Sequence, residues 1–474
     1  MRRRRLAALL PFAALADCAH LDDEIAADES AVRASVEGRV GVAPAARRGE
    51  PGDAAISDEA RALLAGGLTE EEAVRVALLD HRGLSAALEE LGVARADLAR
   101  AARPPNPLFT ANAKFFDGGA EVELGLAQSF LELLFMPLRR RIAGAERAGV
   151  EAAVTRAIVH HVFDVRRAFA VVVAAEEQVA SLRREADAAD SSRELMRRLH
   201  DAGNATDPEL TAAEIEAAEL RVELSSAEVA SLEARERVNV VLGLWGDAVA
   251  WSASGPLPEP AAPDAQIDQV ESRALAASLD LGLQRARIEA AAERAGVRDW
   301  QTLLSPGEVG AAAKRESGGD WGVGPAVSLA LPLFDGGEPA VVKAEARLRQ
   351  ELAREAELAV EVRSAARLLR ERARSLAESA RFARTTSVPL HARLVRETVQ
   401  NYNAMQIGAF AVLAARREEL RAQREAAALA RDARLAEIDL DELLAGSLDR
   451  DRLFKAATPT AERTMHAPRA TGGH

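Results

Sequence analysis

The chain has 474 residues, 28% of them charged, and a formal net charge of −13 at pH 7. Aromatic residues make up only 4% and alanine is abundant, a composition typical of long helices and not of an enzyme with a large aromatic core. The single cysteine excludes a disulfide framework and a Cys-based zinc site. The acidic net charge argues against nucleic acid as a partner, and no apolar run reaches the length of a transmembrane helix.

The first residues have the order of a secretory signal. Four arginines at positions 2–5 precede an apolar stretch at 6–16, which is too short to span a bilayer. The only cysteine, Cys18, follows in a segment similar to a bacterial lipobox, except that Asp17 stands where Gly, Ala or Ser is usual. We therefore expect residues 1–17 to be a signal peptide and Cys18 to carry lipid. A plain signal peptide with cleavage nearby is the alternative.

Residues 18–67 are an N-terminal extension, and a first structural repeat is predicted over 68–250. Thr69 and Glu72 have capping-box spacing, which predicts a helix start. A helix of about 60 residues, on the order of 90 Å long, then leads to a tip at about 201–209, and a second helix returns. Both carry apolar or small residues at heptad positions, namely Val154, Ile158, His161, Val165, Ala168, Val172 and Ala175, then Leu220, Leu224, Ala227, Ser231, Ala234, Val238 and Val241.

A linker at 251–267 separates this repeat from a second one at 268–446. Its long helix is predicted from about residue 338 to 400, with a kink at Pro389 and a tip at about 402–409. Equivalent features of the two repeats lie about 200 residues apart, which indicates a duplicated domain. Residues 447–474 form a polar tail. The heptad positions of this long helix are Leu348, Leu352, Glu355, Ala359, Val362, Ala366, Leu369, Ala373 and Leu376.

Each repeat contains two short segments of alternating apolar and polar residues before its long helix, at about 106–133 and 305–334. Such alternation with hairpin turns is typical of outer-membrane barrel strands, and a soluble hairpin with one buried face is the alternative. Four strands cannot close a barrel, and open edges are not tolerated in lipid, so the chain must oligomerise. The predicted fold is mainly α with a small β part, in which long antiparallel coiled-coil helices accompany four amphipathic strands.

The order of these motifs resembles that of the TolC family of outer-membrane efflux proteins. The resemblance implies a trimer with a shared twelve-stranded transmembrane β-barrel, continued into the periplasm by a barrel of helices. It also implies a passive exit duct that takes substrates from an inner-membrane transporter of the RND or ABC type through a periplasmic adaptor. The matching residues are Thr69, Ala73, Val74, Ala77 and Leu78, then Asn106-Pro107, Leu242-Gly243-Leu244, Trp321–Pro325, Leu329–Asp335, and Tyr402-Asn403 with Gly408.

The resemblance also places the gate and the adaptor-docking end at the two hairpin tips, at Gly203, Asn204, Asp207 and Glu209 and at Tyr402 and Gly408. Family gates often carry an acid six positions after the tip glycine, which Glu209 matches but Ala414, near Arg416 and Arg417, does not. Helix capping is the alternative role of Asp207 and Glu209. Because glycine adopts positive φ at little cost, we expect Gly203 and Gly408 to make the two reversals.

Candidate catalytic groups do not converge, so no enzyme and no cofactor is predicted. His160 and His161 are neighbours on one helix and point in different directions, and His161 is expected to be structural. His466 and His474 suggest at most a weak metal-binding tail. Two other classes stay open. A periplasmic coiled-coil adaptor or scaffold should have one helical hairpin flanked by β segments, and an enzyme with a helical insertion needs a converging polar site.

Overall fold

The computed structural model describes residues 10–45, 53–117, 119–258, 269–295, 307–316, 319–329 and 337–455. Within these ranges the chain is mainly helical, with one small antiparallel sheet. Four helices precede the first strand, and they are α1 Leu10–Val40, α2 Asp53–Gly66, α3 Glu70–Asp80 and α4 Arg82–Ala102.

The first repeat continues with two strands and two long helices. Thr69 and Glu72 form the predicted capping box at the start of α3. The helix α6 has 66 residues, so it is about 100 Å long at 1.5 Å per residue. The elements are β1 Leu108–Phe116, β2 Gly119–Ser129, the short α5 Phe130–Leu134, α6 Met136–Asp201 and α7 Asp207–Leu242.

The second repeat has the same order of elements. They are α8 Val270–Ala277, α9 Leu279–Ala295, β3 Gly307–Arg315, β4 Gly322–Leu329, α10 Glu338–Phe382, α11 Val388–Asn403 and α12 Ala409–Ala445. A π-helical turn at Ala383–Ser387 interrupts the long helix directly before Pro389, where the sequence predicts a kink. Both a π-helical turn and a proline interrupt the regular helical hydrogen-bond ladder.

The heptad positions predicted from the sequence face the interior in α6 and α7. Ile158, Val165 and Val172 are fully buried, and Val238 is equally buried on the returning helix. In α10 the prediction fails near the start of the helix, because Leu352 is exposed while Leu358, which the pattern omits, is buried. Leu358 belongs to a second hydrophobic cluster together with Leu369 of α10 and Leu440 of α12, whereas Leu352 is not part of that cluster.

The N-terminal extension is part of the folded body. Val32 and Val36 of α1 are fully buried in the main hydrophobic cluster. Asp28, also buried, accepts hydrogen bonds from Arg95 of α4 and Arg147 of α6. Together these contacts fix α1 along the α4–α6 pair.

Arg39, near the end of α1, joins the N-terminal extension to the second repeat. Its Nη1 donates to the carbonyl oxygens of Ala277 and Ala445, at 2.9 and 2.7 Å, which are the last residues of α8 and α12. A cation at two helix C-termini is favourable because these ends carry partial negative charge. Gly446 follows with a φ of +104°, and a Cβ there would collide with the Ala277 carbonyl oxygen. The body continues beyond this point, since Leu448 is buried.

The four strands form one antiparallel sheet in the order β1-β2-β3-β4. The β2–β3 pair joins the two repeats, with Leu126 opposite Ala311. The long helices extend from one end of this sheet. Near the sheet α4, α6, α9 and α10 lie side by side, and towards the tips α7, α6, α12 and α11 do so.

Candidate functional site: the sheet and the helical tips

One face of the sheet is apolar and exposed along all four strands. The register aligns Phe109 with Leu126, Leu126 with Ala311, and Ala311 with Pro325. Phe115 at 82% exposure and Val323 at 75% are among the most exposed apolar side chains of the described chain. A soluble hairpin would bury such a face, so it must meet an apolar environment outside this chain.

The opposite face is polar. Lys114 lies opposite Glu121, and Asn112 lies opposite Glu123. The Lys314 Nζ lies 3.0 Å from the Glu121 Oε1, so an ion pair crosses from β2 to β3. A sheet with one apolar and one charged face separates two media, in the same way as the strands of an outer-membrane barrel.

Both outer strands of the sheet have an open edge in the described chain. β1 pairs only with β2, and β4 pairs only with β3. The backbone N–H and C=O groups along these edges need partners if the apolar face is in lipid. In such an environment each edge therefore needs a hydrogen-bonding partner from outside the described strands.

Solved structures of outer-membrane channels have the same overall fold as this chain. No model of a known protein family matches the chain, and no curated protein sequence is significantly similar to it. The outer membrane protein VceC of Vibrio cholerae superposes with a TM-score of 0.66 at 18% identity, over 80% of this chain and 97% of that one. The protein has the fold of the outer-membrane channels. The resemblance found in the sequence is thereby confirmed at the level of the fold.

Two further channels support this assignment of the fold. The CmeC outer membrane channel of Campylobacter jejuni superposes with a TM-score of 0.67 at 13% identity, over 82% of this chain and 88% of that one. The MtrE outer membrane channel of Neisseria gonorrhoeae, in its open state, superposes with a TM-score of 0.59 at 16% identity, over 80% of this chain and 90% of that one. The predicted fold class, long helices with four strands in a duplicated chain, is confirmed.

In this channel fold the first helical tip follows the prediction for Gly203. Gly203 has a φ of +74°, and Asn204 N–H donates to the carbonyl of Leu199, which closes the last turn of α6. Thr206 and Glu209 form a capping box, in which the Thr206 N–H donates to Glu209 Oε2 at 2.7 Å. This hydrogen bond lowers the pKa of Glu209, so its carboxylate is ionised and engaged in capping α7.

Asp207 also has a local partner at this tip. Its Oδ1 lies 2.7 Å from the Nε2 of His200, at the end of α6. The hydrogen bond to Asp207 raises the pKa of His200. Glu209 therefore makes the capping contact that the alternative predicts, whereas Asp207 contacts the side chain of His200.

The second tip differs from the prediction. Gly408 has a φ of −80° and is the extended N-cap residue of α12, so the expectation that it supplies the positive φ is wrong. Met405 takes that role with a φ of +60°, and it is 94% exposed. The hydrogen bond from Gln406 N–H to the Asn401 carbonyl matches that of Asn204 at the first tip. Met405 therefore corresponds to Gly203, because the position after the helix end takes positive φ.

The remaining named residues of the second tip are exposed. Tyr402 lies in the last turn of α11 with 45% of its surface exposed. Ala414 provides no acid, and the neighbouring arginines pair locally, Arg416 with the buried Glu419 and Arg417 with Glu418. The two tips thus present different charges to a partner.

A buried ionic cluster links the two repeats, and the sequence analysis missed it. Arg167 of α6 pairs with Glu442 at 2.6 Å and with Asp439 at 3.1 Å, both on α12. Burial would raise the pKa of Glu442, but the hydrogen bond from His160 and the charge of Arg167 lower it. That hydrogen bond in turn raises the pKa of His160. The only sequence signal is the presence of three charged residues, Asp164, Arg166 and Arg167, within the otherwise apolar stretch 162–173 of α6.

His161 has the structural role expected of it. Its ring packs against that of His81, with 4.2 Å between the ring centroids. Burial, followed by the nearby His81, lowers the pKa of His161 to about 4, so the ring is neutral at physiological pH. His160 instead contacts Glu442 and Asp164, so the two neighbouring histidines point to different partners.

Metal-site and membrane-helix criteria are not met within the described ranges. No group of three His, Cys, Asp or Glu side chains there could hold a metal ion. None of the helices placed there combines the length and the apolarity needed to cross a membrane. His466 and His474 lie outside the described residues, as does the side chain of Cys18, whose backbone belongs to α1.

Proposed function

We propose that the protein is an outer-membrane channel, the exit duct of a tripartite efflux or secretion system. The observation that carries this proposal is the four-stranded sheet with an exposed apolar face, a charged face and two open edges. Three copies contribute twelve strands, which exceeds the roughly eight needed to close a barrel. The charged face then lines the lumen and the apolar face meets lipid.

The helical edges of the chain support side-by-side association of copies. On α7 three apolar side chains spaced seven residues apart are exposed, namely Ile215 at 52%, Val222 at 71% and Val229 at 55%. On α11, at the opposite edge of the helical layer, Leu390 and Leu394 are exposed at 57% and 48%. Heptad-spaced apolar residues on two edge helices favour knobs-into-holes packing, here between α7 of one copy and α11 of the next.

The channel acts as a passive conduit that extends into the periplasm. The structures that it resembles are channels, and the energy for transport comes from an inner-membrane transporter. Because the tips at Gly203–Glu209 and Tyr402–Gly408 lie furthest from the sheet along the long helices, they are the end that meets a periplasmic adaptor. The exposed Met405 and Tyr402 give that end an apolar contact surface.

The register of α1 supports a lipid anchor at Cys18. Two contacts fix the direction of α1 relative to α6. Asp28 of α1 pairs with Arg147 of α6. Eleven residues later, Arg39 of α1 contacts Ala277, which is close in sequence to Asp280, the partner of Arg156 further along α6. The helices α1 and α6 therefore run parallel. Cys18 precedes Asp28 by ten residues, about 15 Å, which is level with the start of α6 next to the sheet. A lipid on Cys18 then lies at the surface of the membrane that the sheet spans.

Cross-linking between strand edges tests the proposed assembly. In a Cys18→Ser background, Ala113→Cys on β1 is combined in turn with Val323→Cys, Pro325→Cys or Val327→Cys on β4. Oxidation of the protein in its native membrane should give covalent dimers and trimers for at least one pair, since the edges of neighbouring copies must pair.

The control replaces the β4 position by Glu194→Cys on the exposed side of α6, which should not cross-link to β1. The purified protein should also conduct ions across a planar bilayer. A monomeric, water-soluble protein without cross-links in any pair would refute the channel assignment.

A further inference from the structure

The internal duplication reveals a groove in the second repeat whose counterpart in the first repeat is filled by α1. The strands β1 and β3 begin at Leu108 and Gly307, 199 positions apart, and β2 and β4 end at Ser129 and Leu329, 200 apart. With the same offsets, Arg95 corresponds to Arg294, Arg147 to Arg347 and Glu151 to Glu351. These three charged residues of the α1-binding surface in the first repeat therefore have identical counterparts in the second.

In the first repeat these residues bind a helix. Asp28 of α1 receives hydrogen bonds from Arg95 at 2.8 Å and from Arg147 at 2.9 Å. Ile25, one turn earlier, lies beside Gly92 of α4. Val32 and Val36, one and two turns later, are fully buried. An apolar residue, an acid and two valines on one helix face are thus recognised by α4 and α6.

In the second repeat the corresponding surface is open. A groove of about 580 Å³ lies between α6, α9 and α10, with Ala286, Ala290 and Ala291 among its lining residues. Arg294 and Arg347 line it at the places that correspond to Arg95 and Arg147. Arg294 pairs with Glu146, whereas Arg347 has no ion-pair partner within the described residues. The groove thus combines an apolar surface of alanines with the guanidinium of Arg347, which has no carboxylate partner within the described residues.

The groove adjoins the hydrophobic cluster to which α1 contributes. Val150 of α6 lines the groove and also packs against this cluster, which contains Val32 and Val36. With the same offset of 199, Ala290 stands where the first repeat has the buried Leu91, so the groove has more room for a helix at this position, whereas Ala286 corresponds to Ala87.

We propose that this groove, hereafter the repeat-two groove, binds an acidic amphipathic helix of another polypeptide. The partner helix carries a carboxylate for Arg347 and Arg294, with β-branched or small apolar residues one and two turns away, as α1 does with Asp28, Val32 and Val36. Helix-in-groove recognition of this kind uses anchors at i, i+3, i+4 and i+7. The inference rests on the duplication and is independent of the channel function.

A peptide with the sequence of residues 21–40 is the probe, labelled with a fluorophore and titrated with the full-length protein in detergent. Saturable binding is expected from the change in anisotropy. Ala290→Trp, which fills the groove, and Arg347→Glu, which reverses its free charge, should each weaken binding by about tenfold or more, equivalent to roughly 1.4 kcal/mol. Arg349→Glu is the matched control, because Arg349 lies on the same helix, pairs with Glu345 and does not line the groove.

A charge exchange makes the test specific. The peptide with Asp28→Lys should lose binding to the wild-type protein and regain it on Arg347→Glu. The absence of saturable binding would overturn the proposal. Binding that is unaffected by Ala290→Trp but lost with Arg95→Glu would also overturn it, because the peptide would then have replaced α1 in the first repeat.

Discussion

Replacement of Arg167 by methionine tests the cluster that joins the two long hairpins. The side chain of Arg167 is 7% exposed and its guanidinium contacts Glu442, Asp439 and Asp164, of which the Glu442 side chain is only 4% exposed. Removing one partner of a buried ion pair costs roughly 3–5 kcal/mol, because the remaining charge is left without compensation. For Arg167→Met we expect the lower end of this energy range, since each of the three carboxylates keeps another partner. Those partners are His160 and Ser447 for Glu442, Arg452 for Asp439, and His160 with Arg452 for Asp164.

We therefore expect Arg167→Met to lower the free energy of unfolding by about 3 kcal/mol. Urea unfolding of the detergent-solubilised protein, followed by tryptophan fluorescence, measures this loss, with the buried Trp251 as a probe of the same body. The double variant Arg167→Met/Glu442→Leu should lose less than the sum of the two single variants, with a coupling of about 1–3 kcal/mol.

The control for this experiment is Arg183→Met. Arg183 pairs with Glu228 at 2.6 Å, but the two side chains are 61% and 46% exposed, so the loss should be within about 1 kcal/mol. Equal losses for Arg167→Met and Arg183→Met would refute the reasoning that burial makes the cluster hold the repeats together.

Gly203→Val should disorder the first tip and speed its proteolysis, since a β-branched residue fits a φ of +74° poorly. Gly408→Val should leave the second tip intact, because nothing lies within 4 Å of the added Cβ. Asp28→Ala should release α1, so that its amides exchange hydrogen faster while those of α12 do not. His161 should contribute a loss in the free energy of unfolding as pH drops from about 6.5 towards 4, because unfolded His161 binds a proton that the folded ring, with its pKa lowered to about 4, does not. His161→Phe should remove this contribution, which is at most about 1.4 kcal/mol per pH unit, and a pH dependence identical to that of the wild type would contradict the assignment.

Local sequence signals were sufficient to predict most of the secondary structure. The Thr69–Glu72 capping box, the heptad positions of α6 and α7 and the alternation in the strands each depend on residues within a few positions of one another. Such short-range patterns report which face of an element is apolar, so they also indicated the duplication and the four amphipathic strands.

What only the tertiary structure decided depends on residues far apart in the chain. Arg167 meets Glu442 across 275 positions and Arg39 meets Ala445 across 406, and a charged residue within a helix does not reveal such a partner. The second tip shows the same limit at short range. Its reversal is made by Met405, because the end of α11 fixes which position takes positive φ, although the sequence offers a glycine three residues later. The preference of one residue type for a backbone conformation is a small energy. The packing of two long helices instead determines the backbone dihedral angles of the loop between them.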